Sequence, residues 1–224
     1  MKELEIVSLY DLSHTLAAPY LSRFTYPWEA LAGLSDFIVE LGRSLPAEEY
    51  EEIGEKIWAA KSAVIAPTAS LTGPVIIGKN SQVRHCAFLR GSILVGETCV
   101  VGNSTELKNV ILFDHVQVPH YNYVGDSILG YHSHMGAGSI TSNVKSDKQP
   151  VVIKAGEVQI ETGRKKVGGM LGDYVEVGCG SVMNPGVVVG RHTSIYPLSM
   201  VRGYIPAGAI YKKQGEIVQK REEL

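Results

Sequence analysis

Every sixth residue from Ile65 to Phe113 is large and apolar: Ile65, Leu71, Ile77, Val83, Leu89, Val95, Val101, Leu107 and Phe113, with Pro119 next on the beat. The beat returns at Leu129 and Met135. It runs again through Leu171, Val177, Met183, Val189, Ile195 and Val201. An α-helix repeats near 3.6 residues and a strand alternates with period two, so a period of six fits neither alone. It requires a short strand and a corner, repeated, with one apolar side chain per repeat turned inward. That is the hexapeptide pattern of a parallel β-helix. Four places after the apolar residue stands a small or β-branched one, as at Ala69, Ser81, Ala87, Cys99, Thr105, Ser181 and Thr193. Glycine often follows the apolar residue, as in Ile77-Gly78 and Val177-Gly178, where a tight corner benefits from a missing side chain. Three hexads close one triangular coil of eighteen residues, and coils stack about 4.8 Å apart. The expected fold is an all-β solenoid.

The beat also divides the chain. Residues 1–60 lack it. There, Pro27 ahead of Trp28, Leu31, Leu34, Phe37, Ile38 and Leu41 predicts an amphipathic helix with proline in its first turn. Glu48, Glu49 and Glu51 after Pro46, with Ile53, Ile57 and Trp58 on one side, predict a second. This small helical N-terminal arm is expected to cap the open first coil, as solenoids require. The β-helix domain is expected over 61–210, with breaks at 119–126 and 144–169 and a charged tail at 211–224. In the second break, Val151–Lys154 and Glu157–Glu161 flank Ala155-Gly156 as a hairpin would, and Arg164, Lys165 and Lys166 stand at its return. Repeat rules tend to be broken at sites, so both breaks attract attention.

A net charge of −2 over 224 residues gives no reason to expect a nucleic-acid or membrane surface. No apolar stretch is long enough to span a bilayer, and no secretory signal opens the chain. Cys86, Cys99 and Cys179 are odd in number and scattered, which reads as reduced packing residues of a cytoplasmic protein.

Arg90 and Lys108 are one coil apart, and each follows the apolar residue of its hexad. On a regular coil they share a face and repel unless an anion lies between them. A phosphate suits that place, and arginine can grip it with two prongs. A solvated charged edge with Glu106 as counter-ion is the other reading. His120 stands in the first break, and histidine is the usual neutral-pH base.

Glu106-Leu107-Lys108, then Pro119-His120-Tyr121-Asn122-Tyr123-Val124-Gly125-Asp126, then Gly136-Ala137-Gly138-Ser139-Ile140-Thr141-Ser142-Asn143 resemble one family. It is the acetyltransferase domain of the bifunctional N-acetylglucosamine-1-phosphate uridyltransferase/glucosamine-1-phosphate acetyltransferase. The long loop with Thr162-Gly163-Arg164-Lys165-Lys166 is similar to the archaeal-type sugar-phosphate acetyltransferases. The resemblance covers nearly all of 60–210. It implies a left-handed β-helix, a homotrimer with sites between subunits, and acetyl-CoA as co-substrate with no metal required. It implies His120 as the base that takes the amine proton, Arg90 and Lys108 on the phosphate of a hexosamine phosphate, and Tyr123 and Asn143 on the sugar. Ala137 would present a backbone group near the thioester, and Cys179 and Pro197 would line the pantetheine channel. His134 stands where the bacterial enzymes have asparagine near the acceptor, and Lys148 lies in a loop of different length. No nucleotidyltransferase domain or glycine-rich phosphate loop is expected in residues 1–60.

Two other classes fit parts of this pattern. In the γ-type carbonic anhydrases, neighbouring subunits share a zinc through histidines. His115 and His120 have the matching five-residue spacing, but His85 lies thirty before His115, off the multiple of eighteen that would keep one face. A non-catalytic trimeric scaffold or regulatory subunit of a sugar-nucleotide enzyme is the third reading.

Overall fold

From Ile57 to Lys213 the backbone of the computed structural model, which describes residues 1–213 and 215–220, winds as a parallel β-helix with three faces. Each face stacks one column of inward side chains. Face A stacks Ile65, Val83, Val101, Val118, Met135, Val177 and Ile195. Face B stacks Leu71, Leu89, Leu107, Val124, Thr141, Met183 and Val201. Face C stacks Ile77, Val95, Leu112, Leu129, Leu171, Val189 and Ile205. Below the first coil these columns are buried. The corners turn on left-handed residues, which repeat in register as Cys86, Ser104, Tyr121, Gly138, Gly180 and Leu198 between faces A and B.

Two inward positions differ from the six-residue count. Ile77 to Val95 is a step of eighteen, but Val95 pairs with Leu112 and Leu112 with Leu129, steps of seventeen. The missing residue comes from the corner between faces B and C. There the regular Gly91-Ser92 turn is replaced by the single left-handed residues Asn109 and then Asp126, inside the continuous strands Glu106–Leu112 and Tyr123–Leu129. The inward residue is therefore Val118, not Pro119. Phe113 faces outward, in the register position of Gly96, and its ring meets Tyr10 at 5.1 Å.

The N-terminal arm is not an end cap. The outward side chains of face C, Ile76, Leu94, Ile111, Ile128, Met170 and Val188, are all apolar and fully buried, because the arm lies along that face as a strap. Leaving them in water would forfeit about 1.5–3 kcal/mol for each fully buried side chain. Backbone links fix the strap. Asp173 accepts from Asp11 N–H at 2.7 Å and Tyr131 N–H at 2.8 Å, and pairs with Arg191 at 3.1 Å. Asp173 N–H in turn donates to Leu9 O.

The expected single helix at 27–41 is split into a 3-10 turn, Pro27–Leu31, and the helix Leu34–Ser44, with Gly33 as N-cap between them. The helix expected after Pro46 is a hairpin instead. Tyr50–Gly54 pairs with Ile57–Ala60, and Ile57–Ala60 joins Val75–Ile77 as the first strand of face C. Edge pairing onto the solenoid overrides the acidic helix-start signal, so strand structure begins inside the expected arm. At the other end Ala209–Lys213 stays in face A and folds back on Glu216–Gln219, so this part of the tail is not free. Residues 214 and 221–224 of the tail lie outside the described residues. The hairpin of the second break forms as expected, Val152–Ala155 against Val158–Glu161. Among the described residues no helix is long and apolar enough to cross a membrane.

Gly42 shows how closely strap and solenoid fit, because a Cβ there would sit 2.2 Å from the Trp58 ring. Gly42→Ala should gain up to about 1 kcal/mol of helix propensity. Overpacking against the nearly buried indole should cost about 1–3 kcal/mol and prevail. Denaturant unfolding is expected to show a lower midpoint, and a higher one would contradict this packing.

Candidate active site

Stacking gathers the expected residues into two groups, one on each edge of face B. At the A/B corner, the residues just before the left-handed positions form a column: His85, Asn103, His120, Ala137, Cys179 and Pro197. Backbone hydrogen bonds define it. Ser104 N–H donates to His85 O, Tyr121 to Asn103 O, Gly138 to His120 O, Gly180 to Ala137 O and Leu198 to Cys179 O, at 2.8–3.1 Å. His120, Ala137, Cys179 and Pro197 are all exposed. The ring of His120 and the backbone N–H of Ala137 make no hydrogen bond among the described residues, so both are available to a ligand.

Asn122 holds the upper part of this column in place. It is 2 % exposed. Its side-chain oxygen accepts from His120 N–H at 3.0 Å, and its Nδ2 donates to Gly136 O at 2.9 Å and Ser139 O at 3.0 Å. One buried amide thus links the histidine to the Gly136–Ser139 turn that carries Ala137. Composition alone gave no reason to single it out.

At the B/C corner the shortened coils place Asp126 at the centre of a second group. Its side chain is 2 % exposed, and the carboxylate accepts from Lys108 Nζ at 3.1 Å, Asn109 Nδ2 at 2.8 Å and Asn143 Nδ2 at 2.6 Å. A buried carboxylate needs such donors, since desolvation without them is costly. Asn143 also donates to Tyr123 Oη at 3.2 Å. Tyr123 passes close to Gly125, where a Cβ would come within 2.5 Å of its hydroxyl, so only glycine lets the phenol reach Asn143. Burial first, and then Asp126 and Glu106, push the Tyr123 phenol above its ordinary range, so it stays a neutral donor.

Arg90 and Lys108 share face B in successive coils, as their spacing predicts, but each already has a carboxylate. Arg90 pairs with Glu106, which holds its guanidinium above the ordinary range, and Lys108 pairs with Asp126. The remaining expected residues lie apart from this group. His134 is on face A, its Nδ1 2.9 Å from Glu176. Lys148 is exposed in the loop after the B/C corner. That loop and its hairpin cover a cleft of about 610 Å³ lined by Ser142, Asn184, Arg202 and Lys154.

For the histidines of the zinc reading, His115 belongs to the C/A corner, where its ring stacks on His132 at 4.6 Å. His85 lies on the corner of His120, two coils away, with its Nδ1 3.0 Å from Thr68 Oγ1. Among the described residues no three His, Cys, Asp or Glu side chains are grouped to hold a metal ion.

The fold and repeat define the class, a hexapeptide-repeat β-helix protein. Within that class the chain resembles the acetyltransferase region of bifunctional sugar-phosphate enzymes. It is 30 % identical over 221 residues to "Bifunctional protein GlmU" of Methanococcus maripaludis strain C5, covering 90 % of this chain and 50 % of that protein. It is 30 % identical over 126 residues to the "Bifunctional sugar-1-phosphate nucleotidylyltransferase/acetyltransferase" of Sulfurisphaera tokodaii, covering 56 % of this chain and 31 % of the relative. The chain spans about half the length, or less, of these relatives. A family model described as the GMPPB C-terminal domain matches residues 71–167. Among solved structures, a hexapeptide transferase family protein from Anaplasma phagocytophilum aligns at 18 % identity and a TM-score of 0.42, over 74 % of this chain and 79 % of that one.

The cysteines provide a check on the corner column. Cys179 and Cys86 are exposed, whereas Cys99 is buried inside the coil, and burial pushes its thiol up to about 12. A thiol reagent should modify two cysteines of the native protein rapidly and Cys99 only after unfolding. Mass mapping that finds Cys99 labelled in the native state, or Cys179 protected, would contradict the placement.

Proposed function

We propose that the chain moves an acetyl group from acetyl-CoA to the amine of a hexosamine 1-phosphate, glucosamine 1-phosphate or galactosamine 1-phosphate, supplying UDP-N-acetylhexosamine synthesis. The observation that carries this reading is the pairing of two columns on face B. A free imidazole and a free backbone N–H stand at one edge, and a cation, phenol and amide network stands at the other. The Sulfurisphaera tokodaii relative, named for sugar-1-phosphate nucleotidylyl and acetyl transfer, supports it.

The chemistry assigns each group a task. A protonated amine is no nucleophile, so the amine reacts as the free base after losing one proton to water. Its lone pair forms the C–N bond on the acetyl carbonyl while His120 accepts the further proton that the attacking nitrogen must shed. The developing oxyanion is met by the Ala137 N–H. The C–S bond breaks, and the proton held by His120 passes to the departing CoA thiolate. Cys179 and Pro197 continue the column below Ala137 and line the path of the pantetheine arm. Tyr123 and Asn143 contact the sugar. His134 and Lys148 border the acceptor only if a neighbouring subunit brings them there. The protein accordingly acts as a homotrimer built on faces A and B, since the strap occupies face C. No metal takes part in the transfer.

Arg90 and Lys108 hold the acceptor phosphate. Glu106 is no obstacle, because an exposed ion pair is a weak competitor for a dianion. Asp126 keeps Asn109 and Asn143 as donors when Lys108 turns to the phosphate. Following thiol release from acetyl-CoA with phosphorylated and free glucosamine tests this. The parent should prefer the phosphorylated sugar. Arg90→Ala and Lys108→Ala should each raise KM for it about tenfold or more while scarcely affecting the free sugar. Equal losses on both acceptors would mean that the cations serve the fold. A monomer in light scattering of the same preparation would contradict the shared site. Bound CoA should also slow labelling of Cys179 and leave Cys86 unaffected.

A further inference from the structure

The strap, the B/C corner and the return of the second break enclose a cleft of about 550 Å³ whose strap and loop walls the acetyl-transfer reading leaves unused. Lys108 and Asp126 form its floor. Leu31, Ala32 and Ser35 of the strap make one wall, and Arg164, Lys165 and Lys166 make the other. Ser92, at the corner one coil above Asn109, also faces it. Four cations thus line the cleft against one carboxylate, and that carboxylate is already saturated by Lys108, Asn109 and Asn143. Lys165 and Lys166 are exposed and have no carboxylate partner among the described residues. The Nε of Arg164 is buried and has no hydrogen-bond partner there. Three adjacent cations with no counter-ion repel one another. An anion in the cleft relieves that repulsion. Serine hydroxyls and a planar guanidinium beside ammonium groups are the donors that phosphate oxygens accept from.

We infer that this cleft is a phosphoryl-binding site, with Arg164, Lys165 and Lys166 gripping a phosphate from the loop side, Lys108 from the sheet side, and Ser35 of the strap closing it. The backbone holds the grip in position. Val151 N–H donates to Arg164 O at 2.8 Å, and Thr162 Oγ1 accepts from Arg164 N–H at 3.2 Å. Lys166 bridges to Val144 across the neck of the loop. Two ligands of the proposed reaction carry such a group, the acceptor sugar and CoA.

The test has two arms. The first uses inorganic phosphate on the full chain, followed by the broadening of its phosphorus resonance. Arg164→Ala and the double variant Lys165→Ala/Lys166→Ala should each weaken binding tenfold or more. Lys56→Ala, which removes a cation from the far side of the helix Leu34–Ser44, should change it less than twofold. Arg164→Lys keeps the charge and should recover part of the loss. The double variant guards against a misfolded loop, since neither lysine side chain makes a hydrogen bond or ion pair among the described residues. Unchanged phosphate binding in both loop variants would overturn the site. The second arm identifies the source. A rise in KM for glucosamine 1-phosphate but not glucosamine assigns the cleft to the acceptor. Weaker binding of CoA but not 3′-dephospho-CoA assigns it to the cofactor. If neither changes, no ligand phosphate uses the cleft and the inference fails, even where acetyl transfer itself persists. Loss of phosphate binding in a protein that transfers no acetyl group would leave the site standing and remove only the proposed reaction.

Discussion

Parallel stacking is the constraint on which everything else in this chain rests. It places a residue about 4.8 Å from the one a coil away, whatever their chemistry, so function must be written in columns. The A/B corner carries His120, Ala137 and Cys179 in one line because each precedes a left-handed corner residue in successive coils. The same rule collects His115, His132, Tyr174 and His192 into a ladder of stacked rings at the C/A corner. Burial, together with neighbouring His115 and His14, holds the His132 imidazole below its ordinary range.

The departures from regular stacking are as informative as the columns. Removing one residue from each of two successive B/C corners forces Asn109 and Asp126 to turn the chain alone, with both side chains lining the cleft between the strap and the loop. A buried carboxylate results, and the donors it demands are Lys108, Asn109 and Asn143. One deletion in the repeat therefore organises the polar edge of face B. The strap reaches the same corner, where Leu31 O accepts from Asn109 Nδ2 at 3.4 Å. Solenoid, strap and loop converge there.

Much of this was legible in the sequence, and the reasons for the rest are physical. Period six gave the solenoid, and the offset of eighteen put Arg90 over Lys108 correctly. The count placed the irregularity at Pro119, whereas the step of seventeen already begins at Leu112; an unbroken beat through Phe113 hid it, because Phe113 is apolar for the sake of Tyr10. The strap could have been found from the unbroken apolar runs Ile93-Leu94-Val95, Val110-Ile111-Leu112 and Val187-Val188-Val189. A strand with one wet face alternates, and these do not. Asn122 and Asp126 stand in the sequence motif without a visible role, since a polar residue shows its buried partners only once the coils are stacked. The carboxylates beside Arg90 and Lys108 were half visible, because Glu106 lies two residues before Lys108 on the same side of its strand.

The free imidazole at the A/B corner is proposed to take the amine proton during acetyl transfer. Single-turnover acetylation of glucosamine 1-phosphate, with acetyl-CoA saturating, tests it in the parent and in His120→Ala. Roughly a hundredfold slower transfer with unchanged acetyl-CoA affinity is the predicted result. Near-normal transfer by His120→Ala would contradict it and leave His120 as a corner residue only.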